Sequence, residues 1–271
     1  MKKLLILIIL LLASPVLAQQ CSEPVEVARM SPYFISGSVP VAAACDDVGG
    51  NVLYETFETG ASDCGTVQDS PYDVCNKTWA AQGTDTSNIV ATGGKGSCSA
   101  NFLRWTSPYT GDYNVYNNSS ESAIVYITLW VRSITNGLSD TDILHIVGVS
   151  SGSGYTAATV QLKQSGANLT LMVQWHQNYT YFYSAPYTIA TNTWYKVWLK
   201  IDTTNDVCEC YFSTSATEKG SNQCTGGSAS MTRLFQTISV GRVTSTGTVG
   251  DNTFDLDSIS VDTAGFVDVE E

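Results

Sequence analysis

An all-β antiparallel sandwich or barrel is the fold class that this chain of 271 residues predicts. Two observations carry it. From Val125 to Asp262 the stretches VYITLWVRSI, DILHIVGVS, ATVQLKQ, NLTLMVQWH, NYTYFYS, WYKVWLKID, CECYFSTS, FQTISVGRV and NTFDLDSISVD alternate with period two rather than 3.6. Clusters of Gly, Ser, Asn and Asp separate them at intervals of about ten residues.

The elements follow in chain order. Residues 1–18 resemble a secretory signal peptide, with Lys2 and Lys3, the apolar run LLILIILLLA, and Val16-Leu17-Ala18 as a small-residue cleavage site. The run is shorter than the ~20 residues a membrane span needs, and no other stretch approaches that length. The expectation is therefore an exported protein, secreted or periplasmic, with no membrane association after cleavage. Residues 19–50 carry prolines, alanines and two cysteines with poor periodicity, and read as an N-terminal extension. The sandwich is expected over 51–264. A loop-rich insertion at 61–98 holds three cysteines and Gly93-Gly94, and residues 265–271 form a short acidic tail.

Net charge is −12, or −14 once Lys2 and Lys3 are removed. An acidic surface disfavours nucleic acid and anionic membranes as partners. The eight cysteines are Cys21, Cys45, Cys64, Cys75, Cys98, Cys208, Cys210 and Cys224. An even count in an exported chain reads as disulfides, although eight cysteines allow roughly a hundred pairings. Proximity suggests Cys21–Cys45, Cys64–Cys75, and either Cys208 or Cys210 with Cys224. Zinc is disfavoured, because no C-x-x-C pair occurs and the only histidines are His145 and His176.

Alternation also assigns faces. Val125, Ile127, Leu129 and Val131 point to a core, as do Leu169, Leu171, Val173 and Trp175, and Tyr195, Val197, Leu199 and Ile201. The opposite positions include Trp130 and Arg132, Gln174 and His176, and Lys196 and Trp198. Flat rings among amides and charges suit a sugar-binding face, so these six are the candidate glycan ligands. A covering loop or the N-terminal extension would instead make the two tryptophans structural.

Four short segments recur together, in this order, in a known family: Phe57-Glu58-Thr59-Gly60, Asn192-Thr193-Trp194-Tyr195, Ile238-Ser239-Val240-Gly241 and Thr253-Phe254-Asp255-Leu256-Asp257. Over residues 51–262 the chain resembles concanavalin A-like (laminin-G-like) jelly-roll domains. The resemblance implies a two-sheet jelly-roll sandwich and a lectin-like, non-catalytic glycan-binding role. It also implies a structural Ca²⁺ where the first and last strands meet, at Glu58, Asp255 and Asp257, with hard oxygen ligands suited to calcium.

Enzymes occur on this fold too. Retaining glucanases place two carboxylates on one strand face, roughly 5–5.5 Å apart, as E-x-D-x-E. That motif is absent: Glu55 and Glu58 fall on opposite faces, and Asp255 and Asp257 lie in the closing strand. Alginate-lyase-type relatives use a Q-x-H segment with a tyrosine. Gln174-Trp175-His176 matches, with Tyr179, Tyr181 and Tyr183 following, but the arginine-rich strand of those enzymes is missing. No nucleophile elbow, P-loop or H-E-x-x-H is present. Glycan binding leads, with a subunit of an extracellular fibre, coat or adhesive layer as the alternative and a homo-oligomer or surface assembly as its consequence. A polysaccharide lyase or glycoside hydrolase stands third.

Overall fold

Seventeen strands and no helix make up the described residues. The structure, a computed structural model, describes residues 53–55, 73–74, 77–78, 80–82, 87–91, 94–95, 101–106, 112–153, 156–177, 180–224, 231–246 and 252–266. The signal segment, the extension, Glu58, and Cys21, Cys45, Cys64, Cys75 and Cys98 with their expected pairings lie outside these residues.

The strands are β1 (Leu53–Glu55), β2 (Asp73–Val74), β3 (Lys77–Thr78), β4 (Ala80–Gln82), β5 (Ser87–Ala91), β6 (Asn101–Trp105), β7 (Asp112–Ser122), β8 (Ile124–Thr135) and β9 (Ile143–Ser150). They continue as β10 (Thr156–Ser165), β11 (Asn168–Gln177), β12 (Thr180–Tyr183), β13 (Tyr187–Ile189), β14 (Trp194–Asp202), β15 (Val207–Ser213), β16 (Phe235–Thr246) and β17 (Thr253–Asp262). One sheet of seven strands runs β15-β14-β8-β17-β6-β5, with β1 also paired to β17. The other, of eight, runs β12-β11-β10-β9-β16-β7-β4, with β13 also paired to β11. All these pairings are antiparallel.

The fold is the all-β, antiparallel two-sheet sandwich that the alternation predicts. The three apolar sets assigned to the core all lie in it. Each such fully buried aliphatic side chain contributes about 1.5–3 kcal/mol of transfer free energy. Leu129 of β8 sits opposite Val197 of β14, and Val160 of β10 opposite both Val173 of β11 and Val147 of β9. Facing apolar layers are thus built strand by strand.

The β10–β11 hairpin closes tightly, with Ser165 paired to Asn168. Gly166 begins its two-residue turn at φ +57°, the position of a II′ turn that glycine occupies without strain. At the far edge of the seven-stranded sheet, Cys208 of β15 is bonded to Cys224, with Cα atoms 5.9 Å apart. Among the described residues no helix is long and apolar enough to cross a membrane.

Candidate functional site

The six candidate ligands divide between two faces. Trp130, Arg132, Lys196 and Trp198 lie on the outer side of the seven-stranded sheet, whereas Gln174 and His176 lie on the outer side of the eight-stranded sheet. The apolar core separates the two groups, so they do not form one site.

The first group is also closed over. Trp130 and Trp198 are fully buried, which corrects their reading as an open stacking platform. Lys196, buried beside them, holds its Nζ 5.6 Å from the Trp130 ring and 5.2 Å from the Trp198 ring, and donates to the Ala216 carbonyl at 3.0 Å. Lys95 places its Nζ 5.0 Å over Trp130, while its backbone N–H donates to Asp257 Oδ2 at 2.6 Å. Segments around 95 and 216 therefore make these tryptophans structural.

A charged row crosses the same face. Arg104 Nε lies 2.7 Å from Asp255 Oδ1, and Arg132 Nη2 lies 2.8 Å from Asp255 Oδ2. The Arg132 guanidinium stands 4.9 Å from the Phe102 ring and 4.4 Å from that of Trp194. Hydrogen bonding to Asp255 raises Arg104 above its ordinary value. Asp255 thus gives both carboxylate oxygens to guanidinium groups, a setting that does not fit a calcium ligand. Asp257 accepts N–H bonds from Lys95 and Ser258, and Glu58 lies outside the described residues.

The second face is different. β12 is an edge strand whose Phe182 packs against the core, stacked 6.0 Å from Trp175. Alternation turns Tyr181 and Tyr183 the other way, each 47% exposed, the large exposed hydrophobics among the described residues. Tyr181 sits opposite His176 and Tyr183 opposite Gln174. The His176 and Tyr181 rings meet edge to face at 5.4 Å.

Beside the tyrosines, on the neighbouring strands, runs a buried amide layer. Gln161 of β10 donates through Nε2 to Thr159 Oγ1 at 2.9 Å and to Gln174 Oε1. The same nitrogen is 3.1 Å from His145 Nε2. The amide nitrogen has two hydrogens, which Thr159 and Gln174 take, so the His145 contact assigns no tautomer to the ring. Burial brings His145 down to about 4, so its ring is neutral at pH 7. His176 is also lowered, by burial and then by the positive charge of Arg233, so it too favours the neutral form. With Gln174 Oε1 held by Gln161, the Gln174 amide is oriented beside Tyr183. The arrangement exposes two aromatic rings at the sheet edge, with the Gln174 amide and the neutral His176 imidazole buried beside them.

The Q-x-H reading had singled out Gln174 and His176, and the structure brings both against Tyr181 and Tyr183. The tyrosines were not among the six candidates. Their signal was the spacing of Tyr179, Tyr181 and Tyr183 in a strand too short to be covered from both sides. Tyr179 lies outside the described residues.

No protein-family model and no curated protein matches the chain. Solved structures do. The botulinum neurotoxin serotype D ligand binding domain, in complex with N-acetylneuraminic acid, aligns with TM-score 0.53 at 11% identity over 81% of this chain and 48% of its own. The binding domain of paraclostridial mosquitocidal protein 1 gives 0.52 at 11% identity, over 82% of this chain and 51% of its own. They share the β-sandwich fold with this chain. At such identity the likeness extends to the fold alone, and the chain spans about half the length of those structures.

Proposed function

We propose that this sandwich is an exported, non-catalytic glycan-binding module of the concanavalin A-like kind, and that it binds through the outer face of the eight-stranded sheet. The observation that carries this reading is the pair of half-exposed tyrosines, Tyr181 and Tyr183, whose cross-strand neighbours His176 and Gln174 are buried and support them from β11. Sugar rings present apolar C–H faces that stack on aromatic rings, while their hydroxyls take amide and imidazole hydrogen bonds. The sialic acid in the neurotoxin complex supports a glycan as ligand class, as a property of that larger domain.

A glycan-array screen of the mature protein tests the reading. Binding to a defined glycan class is expected, falling at least about tenfold, or ~1.4 kcal/mol, in Tyr181→Ala and Tyr183→Ala variants shown to be folded. With Asp255 committed to arginines, EDTA is expected to leave binding unchanged; its loss in EDTA would restore calcium to the site. Folded wild-type protein that binds no glycan would sink the proposal.

One observation favours a second reading, a polysaccharide lyase. Gln174, a neutral His176 and Tyr181 lie together, and Arg233 is near enough to lower His176, a charge that a uronate carboxylate would meet. Incubation with uronate polysaccharides separates the two: an unsaturated, ultraviolet-absorbing product that Tyr181→Phe and His176→Ala abolish would make the module an enzyme.

A further inference from the structure

Three sulfurs meet at the edge of the seven-stranded sheet. Cys208 and Cys210 are two apart on β15, so both point to the same side of that strand. Their cross-strand neighbours, Ile201 and Leu199, are both core residues. Cys224 is bonded to Cys208, yet its Sγ is also 2.7 Å from Cys210 Sγ.

The backbone holds the second pair as firmly as the first. Asn222 Oδ1 accepts the N–H of Cys210 and that of Cys224, both at 3.0 Å, and the Gln223 N–H donates to the Cys210 carbonyl at 2.7 Å. The segment 222–224 is therefore laid along β15 at Cys210 itself. Cys210 is fully buried, whereas Cys208 is only partly buried.

The geometry points to a shared disulfide, in which Cys224 exchanges between Cys208 and Cys210 and the exchange releases Cys208 as a thiol that forms mixed disulfides with external thiols. In the first step the Cys210 sulfur, as thiolate, attacks the Cys224 sulfur. The Cys210–Cys224 bond forms, the Cys208–Cys224 bond breaks, and Cys208 leaves as a thiolate that takes up the proton Cys210 lost. No oxidant or reductant is consumed. In the second step the Cys208 thiolate attacks a low-molecular-weight disulfide, forms a mixed disulfide and releases one thiol. Burial pushes the Cys210 thiol up to about 12, so the resting form is a protonated thiol and exchange is slow.

Peptide mapping of the full chain tests this, after incubation with oxidised glutathione and quenching with N-ethylmaleimide. Both the Cys208–Cys224 and Cys210–Cys224 linkages are expected, with glutathione on Cys208. Cys210→Ser should keep Cys208–Cys224 and lose the adduct entirely, because nothing displaces Cys208. Cys208→Ser should form Cys210–Cys224. Wild-type protein carrying only Cys208–Cys224 and no adduct on Cys208 would overturn the proposal, whether or not the variants fold. So would a glutathione adduct on Cys208 that persists undiminished in folded Cys210→Ser.

Discussion

The two outer faces of the sandwich are built from the same kind of alternating strand and end in opposite states. On the seven-stranded sheet the row Trp194, Arg132, Asp255 and Arg104 runs across β14, β8, β17 and β6, and the next row sets Lys196 beside Trp130 and Asp257. Charges there neutralise one another, rings lie under cations, and segments near residues 95 and 216 close the surface. The eight-stranded sheet carries a neutral layer instead, Thr159, Gln161, Gln174 and His145, that ends at an open edge with two tyrosines. The difference teaches that an aromatic on the non-core side of a strand becomes a binding surface only where nothing further packs on it.

The largest effect that would break this contrast concerns Trp198. Trp198→Ala is expected to destabilise folding by about 3–5 kcal/mol, because it empties a fully buried ring position, and to leave glycan affinity unchanged in the folded fraction. A urea unfolding series measures the first and the glycan assay the second. Unchanged stability with lost binding would reinstate the seven-stranded face as the site. Asp255→Ala comes next. Stranding two partly buried guanidinium groups without their counter-ion should cost about 3 kcal/mol in the same series. A cost below about 0.5 kcal/mol would show the row to be an ordinary surface cluster.

The half-buried imidazole of His145 gives a third prediction, through pH. His145 has a folded value of about 4 against 6.5 when unfolded, so the unfolded chain takes up the proton first. Its contribution to stability is full above pH 6.5 and is lost as pH falls toward about 4, up to ~3 kcal/mol in all. His145→Gln removes the titrating group while keeping a polar side chain, and should flatten that part of the stability curve relative to wild type. Identical curves would mean that this imidazole stays solvated. The smallest expected effect is on stability at the tyrosines. Tyr183→Ala should change it by less than about 0.5 kcal/mol, since an exposed edge ring packs little, while reducing glycan binding.

Much of this was legible in the residues. Period-two alternation in β8, β11 and β14 assigned Val125 to Val131, Leu169 to Trp175 and Tyr195 to Ile201 to the core correctly, because side-chain direction along a strand is a local property. The involvement of Cys224 with Cys208 or Cys210 was readable from their proximity in the chain.

What sequence alone determined, then, was the strand content, the inward set of each strand and the narrowing of the Cys224 partner to two cysteines on one strand face. Only the tertiary structure decided which outward side chains meet solvent. Trp130 is covered by Lys95, Lys196 is tied to Ala216, and Asp255 is claimed by Arg104 and Arg132, partners 151 and 123 residues away. Such partners are chosen by how strands are ordered across a sheet, and no period within a strand encodes that order. The two sheets also carry their outer faces on opposite sides of one core, which is why candidates that look alike in sequence stand apart in the fold.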